Sequence, residues 1–161
     1  MESSQKICSL EDAAAHAARL RAEGKKVVTT NGVFDLLCVP HLLLLEKAAS
    51  LGGILFVGVN SDQSVRALKG DKRPILPCVE RQMLVAGIGC TGYVFSFDET
   101  DPRSWLQQIR PHVHVNSSEY TENCIEASTV YEIGAELVLY PRAEGFLSTS
   151  DVVERICDRY C

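Results

Sequence analysis

The chain has 161 residues, the usual size of one compact domain, and its 46% hydrophobic and 23% charged residues are typical of a globular protein. A net charge of −5 with no basic stripe disfavours a nucleic-acid partner. No apolar stretch approaches the roughly 20 residues that span a bilayer, and the N-terminus lacks a signal-peptide pattern. We therefore expect a cytoplasmic protein with no membrane partner.

Seven cysteines raise the question of disulfides or a metal site. Their number is odd, no Cys-x-x-Cys occurs, and no cluster has the spacing of a zinc site. We expect small, buried thiols in a reducing compartment.

Strands and helices alternate along the whole chain. In chain order the pattern predicts helix 10–23, strand 26–30, helix 36–51, strand 53–59, helix 61–68, loop 68–77, helix 79–88, strand 92–97, helix 101–110, strand 112–115, helix 127–134, strand 135–141 and helix 149–160. Gly24 is a good helix stop, Pro40 marks a helix start, Ser61 or Asp62 caps the third helix, and Ser150 caps the last.

This alternation predicts a single doubly wound α/β domain over residues 1–161, with a mainly parallel sheet and helices on both faces, as in Rossmann-like folds. The N-terminal helix within 1–24 is expected to pack on that domain. Ligands in such folds bind beyond the carboxyl ends of the strands. The loops expected there are 30–41, 60–73, 115–120 and 141–150.

The first of these loops has features of a phosphate site. Asn31 and Gly32 allow a close turn that exposes amide donors, and the helix behind them has a positive N-terminus. His41 is expected in the first turn of that helix, facing the anion. A tight structural turn with His41 at the surface is the alternative, because a single glycine is a weak signal.

The second and fourth loops add cations and hydroxyls. Lys69, Lys72 and Arg73, with Arg81 on the next helix, could neutralise a triphosphate, although charges in a surface loop are usually just solvated. In the fourth loop, Arg142, Gly145, Ser148, Thr149 and Ser150 precede a helix N-terminus, so the hydroxyls and the Arg go beyond what capping needs.

Other polar or aromatic residues are expected to be structural. His16 is placed on the surface of the N-terminal helix, and Trp105 in the core. His112 and His114 alternate with valines on a strand, and simple packing is favoured for both, with His114 the more plausible ligand contact.

Together these segments resemble the nucleotidyltransferase superfamily that carries a His-x-Gly-His motif. "SLEDAAAHAARLRAEGKKVVTTNGVFDLL", "VGVNSDQSVRALKGDKRPI" and "FDETDP" are similar to the adenylyltransferase domain of ADP-heptose synthesis. The tail "RAEGFLSTSDVVERICDRY" also resembles the closing motif of cytidylyltransferases for phosphocholine and related compounds.

The resemblance implies in-line attack by a substrate phosphate on the α-phosphorus of a nucleoside triphosphate, with release of pyrophosphate. It also implies Mg²⁺, held mostly by the triphosphate, because no dedicated metal cage is visible in the sequence. The implied catalytic residues are His41, Lys69 and Arg142. The implied nucleotide-binding residues are Asn31, Gly32, Val33, Phe34, Cys38, His41, Arg81, Gly145, Ser148 and Thr149, and the substrate-binding residues are Asp35, Lys69, Arg73, Asn116 and Tyr120.

Three departures from the family pattern bear on activity. Cys38-Val39-Pro40-His41 replaces His-x-Gly-His, so a thiol, a weak donor, replaces the first imidazole. "HVHVNSSEY" stands where the heptose enzymes have Val-Lys-Gly-Gly-Asp-Tyr, and "GFLST" has one residue more than Gly-x-Ser-Thr. Losing one preorganised donor typically costs about 10²–10³ in rate.

The sequence thus predicts a nucleotidyltransferase that uses ATP, or CTP, and a sugar 1-phosphate such as heptose 1-phosphate. One alternative is a cytidylyltransferase for a small alcohol phosphate such as glycerol 3-phosphate, phosphocholine or phosphoethanolamine. Another is a catalytically weakened protein that binds a nucleotide or a partner. By analogy with relatives, a homodimer is plausible.

Overall fold

The computed structural model describes residues 1–117 and 124–160. The elements are α1 (Ser3–Lys6), α2 (Leu10–Ala22), β1 (Val27–Gly32), α3 (Val39–Ser50), β2 (Ile54–Asn60), α4 (Asp62–Lys69), α5 (Cys78–Gly87), β3 (Tyr93–Phe97), α6 (Arg103–Ile109), β4 (Val113–Ser117), α7 (Ala127–Glu132), β5 (Glu136–Tyr140) and α8 (Thr149–Tyr160). Every strand and helix predicted from the sequence is present, with small shifts of its ends.

The strands form one parallel sheet in the order β3-β2-β1-β4-β5. The chain winds outward from β1 to β3 and then returns to place β4 on the other side of β1. This reversal leaves a crevice outside the carboxyl ends of β1 and β4, where ligands bind in open α/β sheets. The predicted doubly wound, Rossmann-like fold is confirmed.

Two hydrophobic clusters cover the two faces of the sheet. On one face, the buried side chains of α2, α6 and α7 pack around Trp105 and Phe95, whose ring centroids are 5.2 Å apart. On the other face, α3 and α5 pack Leu45 and Val85 against the valines of β1, β2 and β4. Strands covered on both faces read as continuous apolar runs, which explains why β2 could be recognised in the sequence.

The short helix α1, which precedes the predicted N-terminal helix (now α2), was not predicted. It has four residues and no apolar period, so its position depends on a tertiary contact. Lys6 Nζ donates to the carbonyls of Ala86 and Ile88 at 2.9 and 3.3 Å, where α5 ends. A lysine at a helix C-terminus binds the carbonyls that lack helical partners and suits the helix dipole.

Candidate active site

Two adjoining hollows lie beyond the carboxyl ends of the strands. The first has a volume of about 270 Å³ and is called the Arg142 hollow, and the second, of about 580 Å³, is called the Asn116 hollow. Both are lined by His41, Leu44, Lys69 and Thr149. The Arg142 hollow is further lined by Cys38, Pro40, Ser117, Tyr140, Pro141, Arg142, Ser148 and Ser150, and the Asn116 hollow by residues 31–35, Asn60, Leu68, Arg73, residues 100–102, Asn116, Ile125 and Glu126.

The start of α3 fixes the orientation of His41. Cys38 is the N-cap residue, with extended backbone, and Pro40 lies in the first turn, where a missing N–H does no harm. The backbone N–H of Cys38 donates to Nδ1 of His41 at 3.1 Å. Because Nδ1 is an acceptor, the neutral ring carries its proton on Nε2. His41 is therefore set up as a hydrogen-bond donor through Nε2.

The charge around His41 favours its neutral form. Burial lowers the pKa of His41 below its usual value, and the positive charges of Lys69 and Arg142 lower it further. His41 is thus neutral at pH 7, beside two cations. Such a place attracts an anion while still offering an N–H donor to it.

The loop before α3 is shaped by Phe34. This residue has a φ of 49°, in the left-handed region that costs a bulky residue roughly 1 kcal/mol or more. Its buried ring meets the His41 ring edge-on, with centroids 5.5 Å apart. A Cβ at Gly32 would come within 3.1 Å of that ring, which is tighter than ordinary contact, so glycine favours the close packing of Phe34 there. Gly32, Val33 and Phe34 all line the Asn116 hollow, as does Asn31.

Asp35 supports the loop that follows α4. Its buried carboxylate accepts hydrogen bonds from Arg73 Nε at 2.5 Å and from the backbone N–H groups of Ile75 and Leu76 at 2.8 and 2.9 Å. Burial acts to raise the pKa of Asp35, but these donors and the charge of Arg73 lower it overall. Asp35 lines the Asn116 hollow with its carboxylate held by internal donors, and contact with substrate stays a prediction. Arg73 lies at the wall of the hollow with its Nε held by Asp35.

Arg81 also has a structural role. It is fully buried, and it donates to the carbonyls of Leu76 and Val33 at 3.0 and 2.6 Å and to Asp62 at 2.8 Å. Arg81 lines neither hollow. The expectation that it binds the triphosphate is corrected, because its guanidinium is committed to joining two loops to the start of α4.

The start of α8 differs from the prediction in its cap. Ser148, rather than Ser150, caps the helix: its hydroxyl accepts from the N–H of Asp151 at 3.1 Å and donates to the Asp151 carboxylate at 2.6 Å. Thr149 donates its hydroxyl to the carbonyl of Leu36 at 2.9 Å. These two hydroxyl protons are used internally, and the backbone N–H of Ser148 also donates to the Asp151 carboxylate at 2.6 Å. Gly145, with a φ of +79°, lies in the preceding loop and lines neither hollow.

Asn116, Glu126 and the partly buried Asn31 are further polar side chains that line the Asn116 hollow. Asn116 donates through Nδ2 to Glu126 Oε1 and accepts from the N–H of Ser117 at 2.8 Å. Glu126, just before α7, is 2% exposed. Asn31 Oδ1 is buried and has no hydrogen-bond partner among the described residues. Tyr120 lies outside the described residues.

Several lining residues were not anticipated. Asn60 and Tyr140 end β2 and β5, so the rule that ligands bind beyond strand ends could have found them. Ser150, interpreted only as a cap, lines the Arg142 hollow, and Asp101 lines the Asn116 hollow. Nothing in the sequence indicated Glu126, because its place depends on how the chain returns from β4 to α7.

The residues expected to be structural remain outside the site. Trp105 and His114 are fully buried, and Thr29 Oγ1 lies 2.9 Å from Nδ1 of His114. His112 Nδ1 accepts from the N–H of Val27 at 3.0 Å, which confirms a packing role. His16 is half-buried and stacks on Tyr93 with a centroid distance of 4.6 Å, so it is less exposed than expected.

Over residues 1–117 and 124–160, no group of three or more His, Cys, Asp or Glu is arranged to hold a metal ion. Within the same ranges, no helix has the length and hydrophobicity to cross a membrane. The cysteines of this described part of the chain are free thiols.

The profile of the cytidylyltransferase-like family matches residues 29–155. Over 99% of its length the chain is similar to proteins named bifunctional protein HldE, with 39% identity to that of Geobacter sulfurreducens and 42% to that of Citrifermentans bemidjiense. The chain covers 32% and 33% of those proteins, so it spans about a third of the length of the curated relatives it matches.

Two solved structures share the fold. A lipopolysaccharide core biosynthesis protein from Thermoplasma volcanium matches with a TM-score of 0.62 and 22% identity, over 74% of this chain and 98% of its own. A pantoate-beta-alanine ligase from Francisella tularensis matches with a TM-score of 0.69 and 13% identity, over 91% of this chain and 72% of its own. At these identities the likeness shows the fold alone.

Proposed function

Because the chain belongs to the cytidylyltransferase-like family of nucleotidyltransferases, we propose that it transfers the adenylyl group of ATP to a phosphorylated small molecule. The proposed substrate is a sugar 1-phosphate such as heptose 1-phosphate, and the leaving group is pyrophosphate. The choice of ATP and sugar is supported by the resemblance to the adenylyltransferase domain of ADP-heptose synthesis and by whole-chain similarity to the HldE proteins.

The observation that carries this proposal is that His41 and Lys69 line both hollows. An α-phosphorus held between them is open to a substrate phosphate from the Asn116 hollow. A phosphate oxygen of the substrate forms the new bond to phosphorus, and the bond from phosphorus to the bridging oxygen breaks. Pyrophosphate leaves with that electron pair into the Arg142 hollow.

Each of three side chains has a role in this reaction. His41 donates its Nε2 proton as a hydrogen bond to a phosphate oxygen without becoming a base. Lys69 stabilises charge on the reacting phosphate, and Arg142 stabilises the leaving pyrophosphate. Transfer of this kind depends mainly on positioning and on electrostatic stabilisation, and one such donor is typically worth about 10²–10³ in rate.

Mg²⁺ is part of the proposal as the partner of the triphosphate. The ligands of Mg²⁺ are usually substrate phosphates, waters and one or two carboxylates, so the ion needs no cluster of protein ligands. When bound, the ion neutralises phosphate charge. A cytoplasmic location, the absence of a nucleic-acid partner and a homodimer also stay proposals.

Two alternatives remain. A cytidylyltransferase for a small alcohol phosphate is supported by the resemblance of the tail, which supplies Arg142 and the start of α8 to the Arg142 hollow. The alternative of a catalytically weakened binding protein is supported by Cys38. Its thiol donates to the carbonyl of Leu36 at 3.3 Å, so it does not donate to a phosphate in place of the first His of the His-x-Gly-His motif.

Isothermal titration with ATP and with CTP, each with Mg²⁺, tests the proposal first. Micromolar binding of ATP, followed by pyrophosphate release with heptose 1-phosphate, is expected. Binding of CTP and turnover of phosphocholine or glycerol 3-phosphate would favour the cytidylyltransferase. Binding of neither nucleotide would overturn the enzyme proposal. The Cys38→His, Pro40→Gly double variant then separates a degraded site, where turnover rises, from an adapted one, where it falls.

A further inference from the structure

Glu126 is a buried carboxylate with no cationic hydrogen-bond partner among the described residues. It is 2% exposed and lines the Asn116 hollow. Within residues 1–117 and 124–160 it contacts the amide of Asn116 and the thiol of Cys124, both of which are neutral. A carboxylate has about four lone-pair sites, so these two donors leave it with unused acceptor capacity. A buried carboxylate without a cationic partner destabilises the folded protein unless other interactions compensate.

A second acceptor in the same hollow also lacks a donor. Asn31 Oδ1, at the end of β1, is buried and unpartnered within the described residues. An unpaired buried acceptor destabilises the protein on its own, and buried polar groups are otherwise nearly always satisfied. The two acceptors come from different elements, β1 and the segment before α7. A ligand that brings hydrogen-bond donors would satisfy both.

The other lining residues decide which kind of donor fits. Lys69 and Arg73 line the same hollow as the carboxylates of Asp35, Asp101 and Glu126, and Arg73 is paired with Asp35, so charge alone does not select the donor. Phe34 is the one Phe, Tyr or Trp that the described lining contains, and its ring is packed against His41, so there is no aromatic cage for a quaternary ammonium. Hydroxyl groups are neutral donors, and they suit a hollow that holds both cations and buried acceptors.

We propose that the Asn116 hollow selects a polyhydroxylated phosphate ester, with Glu126 and Asn31 accepting hydrogen bonds from its hydroxyl groups. Asn116 is a positioning residue that holds the Glu126 carboxylate. The phosphate is left to Lys69 and Arg73, which line the same hollow. This inference rests on the proposed function and adds the residues that set its specificity.

The test compares Glu126→Gln with Glu132→Gln, which changes an exposed carboxylate on the same helix. Pyrophosphate release is measured with heptose 1-phosphate, glycerol 3-phosphate and phosphocholine. A hydrogen bond to a charged group is worth about ten- to a hundredfold in affinity, and Gln keeps part of it. We expect Glu126→Gln to raise the KM for heptose 1-phosphate about tenfold, with the KM for ATP unchanged and Glu132→Gln unaffected.

Asn31→Ala distinguishes a loss of substrate recognition from a folding defect. It deletes an acceptor that has no partner among the described residues, so the melting temperature should not fall, while selectivity for heptose 1-phosphate over glycerol 3-phosphate falls. Unchanged selectivity in both Glu126→Gln and Asn31→Ala overturns the inference. A selective loss of phosphocholine turnover in Glu126→Gln also overturns it, since that is the result expected of a cation site.

Failure of the proposed function is distinguishable from failure of this inference. If the wild-type protein releases no pyrophosphate with any substrate, the inference is tested by direct titration of heptose 1-phosphate into the protein. Binding that Glu126→Gln weakens about tenfold supports the inference without catalysis. Binding that is absent, or that Glu126→Gln leaves unchanged, overturns it.

Discussion

The hydroxyl of Thr149 donates a hydrogen bond to the backbone carbonyl of Leu36 at 2.9 Å, joining the first residue of α8 to the loop between β1 and α3. These residues are 113 positions apart, and the two segments they join both contribute residues to the lining of the Arg142 hollow. The relative position of the helix N-termini of α3 and α8 therefore depends on this contact.

Thr149→Val removes this bond while preserving the size of the side chain. We expect it to lower the free energy of unfolding by about 1 kcal/mol and to weaken ATP binding several-fold, because the two loops are no longer held together. Thr149→Ser is the matched control, since it keeps the hydroxyl. Urea unfolding and isothermal titration measure the two effects. Equal ATP affinity in all three proteins would show that the contact does not position the loops.

Lys69→Met tests the electrostatics of His41. Lys69 is one of the two cations that lower the pKa of His41, so its removal should raise that pKa toward the usual value. The rise is partial, because burial, the largest cause, and Arg142 remain. NMR titration of the His41 ring measures it. Lys72→Met is the control for charge alone. If Lys72→Met moves the pKa of His41 equally, a specific role for Lys69 is wrong.

The fold could be predicted from the sequence because parallel strands leave continuous apolar runs such as β2. The position of the site followed from the same pattern, since loops after parallel strands meet at one edge. The roles of Asp35 and Arg81 could not be predicted. A charged residue near a loop looks the same in the sequence whether it binds a ligand or has a structural role. Arg81 has the structural role, because it bonds two loops and the start of α4.

Cys38→Ser tests whether the thiol takes part in the chemistry. The thiol caps α3 poorly, and serine is among the best N-cap residues, so we expect a gain of about 0.5–1 kcal/mol in stability. Turnover should stay within a few-fold of wild type, because the proposed reaction has no covalent enzyme intermediate. Pyrophosphate release measures it. A loss of about 10³ or more with full ATP binding would instead identify Cys38 as a nucleophile.

Asp35→Asn should loosen the loop after α4. The amide puts an N–H donor where the carboxylate now accepts from Arg73, Ile75 and Leu76. We expect a loss of about 2–3 kcal/mol in the free energy of unfolding at pH 7. The pKa of Asp35 is lowered in the folded protein, so its contribution is present above its usual pKa of 3.8 and is lost as pH falls through the folded value. The gap in stability between mutant and wild type should therefore narrow progressively as pH falls below 3.8; a gap that stays constant there would contradict this account.

We expect His114 to make the stability of the protein fall as the pH falls. Complete burial lowers the pKa of His114 from 6.5 to about 3, so between these values the unfolded chain binds a proton that the folded protein does not. Stability must then fall as pH falls, by about 1.4 kcal/mol per unit, or about 2 kcal/mol between pH 6.5 and 5. His114→Gln keeps a polar side chain without this titration and should flatten the profile by that amount.

Urea unfolding at a series of pH values measures the two profiles, with His16→Gln as a control on a half-buried histidine. His41 also has a lowered pKa and adds to the slope in every variant, so the difference between wild type and His114→Gln isolates His114. Parallel profiles for these two proteins would mean that His114 is protonated inside the core. The pairing of its ring with Thr29 and Trp105 would then need a different account.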